Sequence, residues 1–141
     1  MPLGQLARKQ LDLVTAAPET SIRDIANVMK SRKVGSVIIE REKEVQGIVT
    51  DRDIAMQVVA EGKDPKSTVA RDVMTRNPVC ADTNDGVAVL CRKMSDAGVR
   101  RMPVLEDGKL TGIITLDDLL VLIDGELDDL TDIIRAESPT Y

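Results

Sequence analysis

Displaced along itself by sixty-five residues, the chain superimposes its apolar positions without a gap. Val14 meets Val79, Ala16 meets Ala81, Met29 meets Met94, Val34 meets Val99, and GIVTDRD (47–53) meets GIITLDD (112–118). Substituted pairs keep their character, as in Ile22 with Val87, Ile25 with Leu90, Ile39 with Val104 and Ile54 with Leu119. Such a duplication restricts the fold to two like units on one plan, and 141 residues suffice for one ordinary core or two small coupled ones.

Periodicity gives the plan. Each copy opens on a short strand, residues 14–16 or 79–81, followed by a turn rich in Pro, Thr, Asn and Asp. A helix follows, because Ile22, Ile25, Ala26 and Met29 fall at i, i+3, i+4 and i+7, and Val87, Leu90, Cys91 and Met94 repeat that stripe. Two extended runs come next, SVIIE with VQGIVT and MPVLE with LTGIIT. In the second copy Asp107-Gly108 lies between them, a pair favoured in type I′ hairpin turns, so the runs pair antiparallel. After Thr50 and Thr115 the pattern returns to helix, ending at Gly62 in the first copy and continuing or restarting through an acidic stretch in the second. The expected class is α/β (α+β), two β-α-β-β-α repeats packed together. The first spans residues 1–62, a polar linker 63–68, the second repeat 69–123 and an acidic helical tail 124–141.

Composition removes several functions. With no His, the commonest general base and zinc ligand are absent. Cys80 and Cys91 fit no metal-ligand spacing and read as small buried apolar residues. The net charge of -5 argues against nucleic acid. There is neither a signal-like segment at the start nor an apolar run long enough to span a membrane, so a cytoplasmic location is expected. No Phe or Trp occurs and Tyr141 is the single Tyr, so any bound ring must be sandwiched by aliphatic side chains.

Thr-x-x-Asp at the end of both heptads has two readings. It is a capping arrangement, with the Thr hydroxyl accepting from a first-turn amide and the carboxylate favouring the positive helix end. The same helix start also offers free amides to an anion, and its hydroxyl and carboxylate could serve a ligand bearing phosphate and vicinal hydroxyls. Periodicity does not choose between them.

Taken together, G-h-h-T-x-x-D twice, KVGSVII, VRRMPVL, DVMTRNPV at the start of the second copy and the duplication resemble the tandem CBS domain pair, or Bateman module, over about residues 5–123. The resemblance implies a pseudo-twofold module with two clefts that hold adenosine compounds such as AMP, ADP, ATP or S-adenosylmethionine. In one cleft Asp118 would accept from the ribose hydroxyls, Thr115 would donate toward the phosphate, and Ile113 would touch base or sugar. Val14, Val34 and Gly35 would line the adenine, and Arg100 and Arg101 would meet the anionic tail. The second cleft would centre on Ile48, Thr50 and Asp53, walled by Val79 and Val99. There the positions matching Arg100 and Arg101 are Gly35 and Ser36, so the Asp118 cleft should bind phosphorylated adenosine more tightly. The function expected is a non-catalytic, ligand-sensing homodimer that signals to a regulated protein and requires no cofactor or metal. The alternative is a structural scaffold with empty clefts.

Overall fold

A computed structural model describes residues 13–137. Tyr141 and the outer ends of the first repeat and of the tail lie outside the described residues.

The first copy runs β1 (Thr15–Ala16), α1 (Ile22–Arg32), β2 (Ser36–Arg41), β3 (Glu44–Thr50) and α2 (Asp51–Ile54), which widens into a π turn over Ala55–Val59. Then come α3 (Ala70–Val73) and β4 (Thr75–Arg76). The second copy runs β5 (Ala81–Asp82), α4 (Val87–Ala97), β6 (Arg101–Glu106), β7 (Lys109–Thr115) and α5 (Leu116–Glu137). The structure is thus α+β, two sheets with helices. The acidic stretch continues the last helix without a break.

The repeat holds down to single hydrogen bonds. β1 pairs parallel to β2 with Ala16 opposite Ile39, and β5 to β6 with Ala81 opposite Val104. Both antiparallel hairpins bulge at matching places, between Ile39 and Glu40 and between Val104 and Leu105. The turns differ. Asp107 (φ 50°) and Gly108 (φ 78°) form the expected turn with both central residues left-handed, whereas the first copy forces Glu42 (φ 53°) and Lys43 (φ 65°) into the same region. Without a glycine, that conformation costs on the order of 1–3 kcal/mol per residue.

Each sheet buries one face against its own helices. Ser21 caps α1 by accepting from the Asp24 amide at 3.1 Å, and the helix lays Ile22, Ile25 and Met29 on Val37, Ile39 and Val49. In the second half Leu90 and Met94 pack with Met102, Val104, Ile114 and Leu119. Complete burial of one such aliphatic side chain stabilises by about 1.5–3 kcal/mol. Strand alternation sends Ile38 to the opposite face, and it too is only 1% exposed, so both faces of the first sheet are covered. The halves also meet at their hairpins, where the Leu110 amide donates to the Lys43 carbonyl at 2.8 Å and Lys109 pairs with Glu44.

Three features depart from a simple reading of the repeat. The helix after Thr50 is not plain α: the Ala60 amide donates to the Ala55 carbonyl and that of Lys63 to Val58, both five residues back. Cys80 is half-buried and Cys91 exposed, so neither belongs to the core expected for them. Leu90 and Met94 alone fill the buried stripe of α4 and leave Cys91 on its flank. Finally, β4 joins the first sheet, Gly47 lying opposite Arg76 and Ile48 opposite Thr75, while Ala70 and Val73 enter the first core. Packing therefore assigns residues 70–76 to the first half, although they follow the linker.

Candidate functional site

Both Thr-x-x-Asp pairs form reciprocal caps. The Thr50 amide donates to Asp53 Oδ2 at 2.9 Å and the Asp53 amide to Thr50 Oγ1 at 3.1 Å. Thr115 and Asp118 repeat this at 3.0 and 3.1 Å. The arrangement spends one carboxylate oxygen and one hydroxyl acceptor site. Each aspartate keeps Oδ1, and each threonine keeps its own proton to donate. Capping thus fixes the rotamers and leaves free the groups a ligand would use.

Around Thr115 and Asp118 the chain leaves a cavity of about 260 Å³. It gathers Val14, Val34 and Gly35 from the first copy with Arg100, Arg101, Ile113, Thr115 and Asp118 from the second; Leu13, Lys33, Ser36, Leu116 and Asp117 complete the wall. Local bonds hold this geometry. The Leu116 amide donates to the Arg100 carbonyl at 2.8 Å, tying the arginine pair to the start of α5, and the Asp51 amide donates to the Gly35 carbonyl at 3.0 Å.

Arg101 reaches across the halves. A Cβ placed on Gly35 would lie 3.0 and 3.1 Å from its two terminal nitrogens and 3.2 Å from Asp51 Oδ2. Gly35 is therefore a close approach that admits the guanidinium, and Asp51 stands on the same side.

Lys33 is the site residue that sequence reasoning missed. It closes α1 in the left-handed region (φ 55°), its amide bonded to the Met29 carbonyl. At the matching position the second copy has Gly98 (φ 63°), the usual residue there. The signal was available in the repeat: a lysine standing where its counterpart is glycine. The cavity wall thus carries three cations, Lys33, Arg100 and Arg101, against Asp117 and Asp118.

The second cluster is placed differently. Thr50 and Asp53 are half-buried at the start of α2, and Ile48 is half-buried in β3 beside Thr75 of β4. Val79 and Val99 are exposed, and Val99 lines a separate hollow with Cys91, Met94, Ser95, Gly98, Arg100, Leu116 and Leu119. Ile48, Thr50, Asp53 and Val79 line neither of these two spaces. The positions matching Lys33, Arg100 and Arg101 are Gly98, Gly35 and Ser36, none of them charged.

Among the described residues no three His, Cys, Asp or Glu side chains cluster to hold a metal, and no helix is long and apolar enough to cross a membrane. Burial pushes the Cys80 thiol up, opposed by Lys93, which keeps it a thiol rather than a nucleophilic thiolate.

A family model, the CBS domain, matches the chain twice, at residues 3–60 and 70–125. A Methanopyrus kandleri protein is 38% identical over 120 residues, covering 84% of this chain and 60% of that protein. CBS domain-containing protein YhcV of Bacillus subtilis is 31% identical over 109 residues, 77% of each. Among solved structures, a conserved Pyrococcus horikoshii protein superposes with TM-score 0.75 at 30% identity, over 86% of this chain and 90% of that one. The CBS-pair protein CBSX2 of Arabidopsis thaliana shares the fold with TM-score 0.79 at 22% identity, over 90% and 96%.

Proposed function

The chain belongs to the CBS domain family as a tandem pair, and on that premise we propose that it is a regulatory module whose Asp118 cleft binds a phosphorylated adenosine ligand and signals this to another protein. It works as a homodimer and performs no catalysis. The observation that carries the ligand reading is the convergence of Lys33, Arg100 and Arg101 with the uncommitted Asp118 oxygen in one cavity. Asp118 suits vicinal ribose hydroxyls, which donate. The cations suit phosphate, and the two arginines can present paired donors to its oxygens. S-adenosylmethionine carries a sulfonium and an ammonium, which these cations repel, so AMP, ADP or ATP fits the wall better. Val14, Val34 and Ile113 supply aliphatic surface for the base.

Because the wall draws on both copies, a bound ligand bridges them and favours one relative packing. The switching energy is limited to the ligand's difference in affinity between packings.

Calorimetry and thermal shift with ADP, adenosine and S-adenosylmethionine test this. ADP should bind tightest, adenosine weakly and S-adenosylmethionine weakest; at 100 times its dissociation constant ADP adds about 2.7 kcal/mol of stability. Binding by none of them replaces this reading with that of a scaffold. With one Tyr and no Trp, the purified protein should also reveal retained adenine by absorbance near 260 nm.

A further inference from the structure

Asp51 opens α2 with one carboxylate oxygen already committed. Its Oδ1 accepts from the Arg52 amide at 2.8 Å, and its own amide donates to the Gly35 carbonyl at 3.0 Å. That leaves Oδ2, which stands at the Gly35 corner: it and both terminal nitrogens of Arg101 lie within 3.2 Å of the point a Gly35 Cβ would take. Among the described residues the Arg101 side chain nonetheless closes no ion pair. Its terminal edge, the one that presents paired donors to a phosphate, therefore stands beside a carboxylate without being bonded to it. Arg101 and Gly35 line the cavity, and Asp51 lies just outside its wall. The duplication holds no mirror of this contact, since Leu116 matches Asp51 and Ser36 matches Arg101.

We propose, resting on the nucleotide reading above, that Asp51 is the standing counter-ion of Arg101 and yields it to the ligand's phosphate, which makes Asp51 a specificity-determining residue of a cleft it does not line. The guanidinium edge beside Asp51 is the edge a phosphate takes, so binding draws it away from the carboxylate. This exchange costs affinity for phosphorylated ligands alone, because adenosine brings no anion to Arg101. It also moves a contact between the halves. Arg101 belongs to β6 of the second copy and Asp51 to α2 of the first, the helix that carries the other Thr-Asp cap, so filling the cleft loosens a tie at that helix start. Both side chains are exposed, and solvent keeps their attraction weak enough for a ligand to overcome.

Calorimetric titration of ADP and adenosine into the wild type, Asp51→Asn, Arg101→Met and the double variant tests this. Asparagine keeps an oxygen to accept from the Arg52 amide, so α2 should start as before. Asp51→Asn should tighten ADP by about two- to fivefold, the range of an exposed ion pair, and leave adenosine unchanged. With Arg101→Met in place, the same substitution should no longer tighten ADP. If Asp51→Asn binds ADP no tighter than the wild type, the exchange is overturned and the nucleotide reading stands. An equal gain on the Arg101→Met background, or an equal gain for adenosine, overturns the exchange in the same way. A wild type that binds neither ligand overturns the nucleotide reading itself, and the exchange with it.

Discussion

The two Thr-Asp caps are built alike to within 0.1 Å, yet their surroundings make them different instruments. Around Asp118 the cavity wall carries Lys33, Arg100 and Arg101; the positions that match those cations around Asp53 carry no charge. Both copies carry the cap, which satisfies helix-start amides in each half, whereas the cations stand in one copy only. A shared motif therefore marks a helix start in both copies, and only its neighbours set one copy apart as the proposed ligand site.

The largest test sets the two aspartates against each other. Asp118→Ala should weaken ADP binding by about 1.5–3 kcal/mol, as loss of a charged hydrogen-bond partner does, while Asp53→Ala leaves it nearly unchanged by calorimetry. Both should cost about 1 kcal/mol of stability from the broken cap, so denaturant melts of the two should agree. Equal losses of ADP affinity would break the comparison.

Lys33 against Gly98 sharpens it further, because one substitution should move two quantities in opposite directions. Lys33→Gly relieves a left-handed side chain and should raise stability by about 1 kcal/mol, while weakening ADP more than adenosine. A variant more stable and equally good at binding ADP would remove Lys33 from the site. Transferring the second turn to the first, as Glu42→Asp with Lys43→Gly, should stabilise by about 0.5–1 kcal/mol in chemical denaturation and leave binding alone.

The smallest effect concerns the turns before the helices. Thr20 Oγ1 accepts from the Ala17 amide, and at the matching place Asp85 Oδ2 accepts from the Asp82 amide and pairs with Lys93 at 2.7 Å. The backbone amide first and Lys93 second hold the Asp85 carboxyl below its ordinary 3.8. A depressed carboxylate stabilises the fold above its unfolded pKa and ceases to as pH falls through the folded one. Melts below about pH 4 should therefore lose this contribution in the wild type and not in Asp85→Asn.

Much of the molecule was legible in its residues. The repeat, the amphipathic stripes and the Asp107-Gly108 turn follow from local chemistry, and the structure holds each of them. The gathering of Val14, Val34 and Gly35 with Arg100 to Asp118 came from family resemblance, since no local rule brings those segments together. What escaped was set by tertiary contact. Glu42-Lys43 carries no left-handed signal and is held there by its hairpin and the bond to Leu110. The π turn is set where Gln57 reaches the Val73 carbonyl. Residues 70–76 join the first half because its sheet edge and core offered them partners.

That last placement fixes how far the halves can travel. The linker at 63–68 is clamped, the Ile22 amide donating to the Thr68 carbonyl and that of Ala70 to Thr20. The direct tether between the sheets is then residues 77–80, between Arg76 of β4 and Ala81 of β5. Four residues reach at most roughly 14 Å when fully extended. A tether this short confines any relative movement of the halves to a small tilt, and the proposed module would have to send its signal through a rotation of that size.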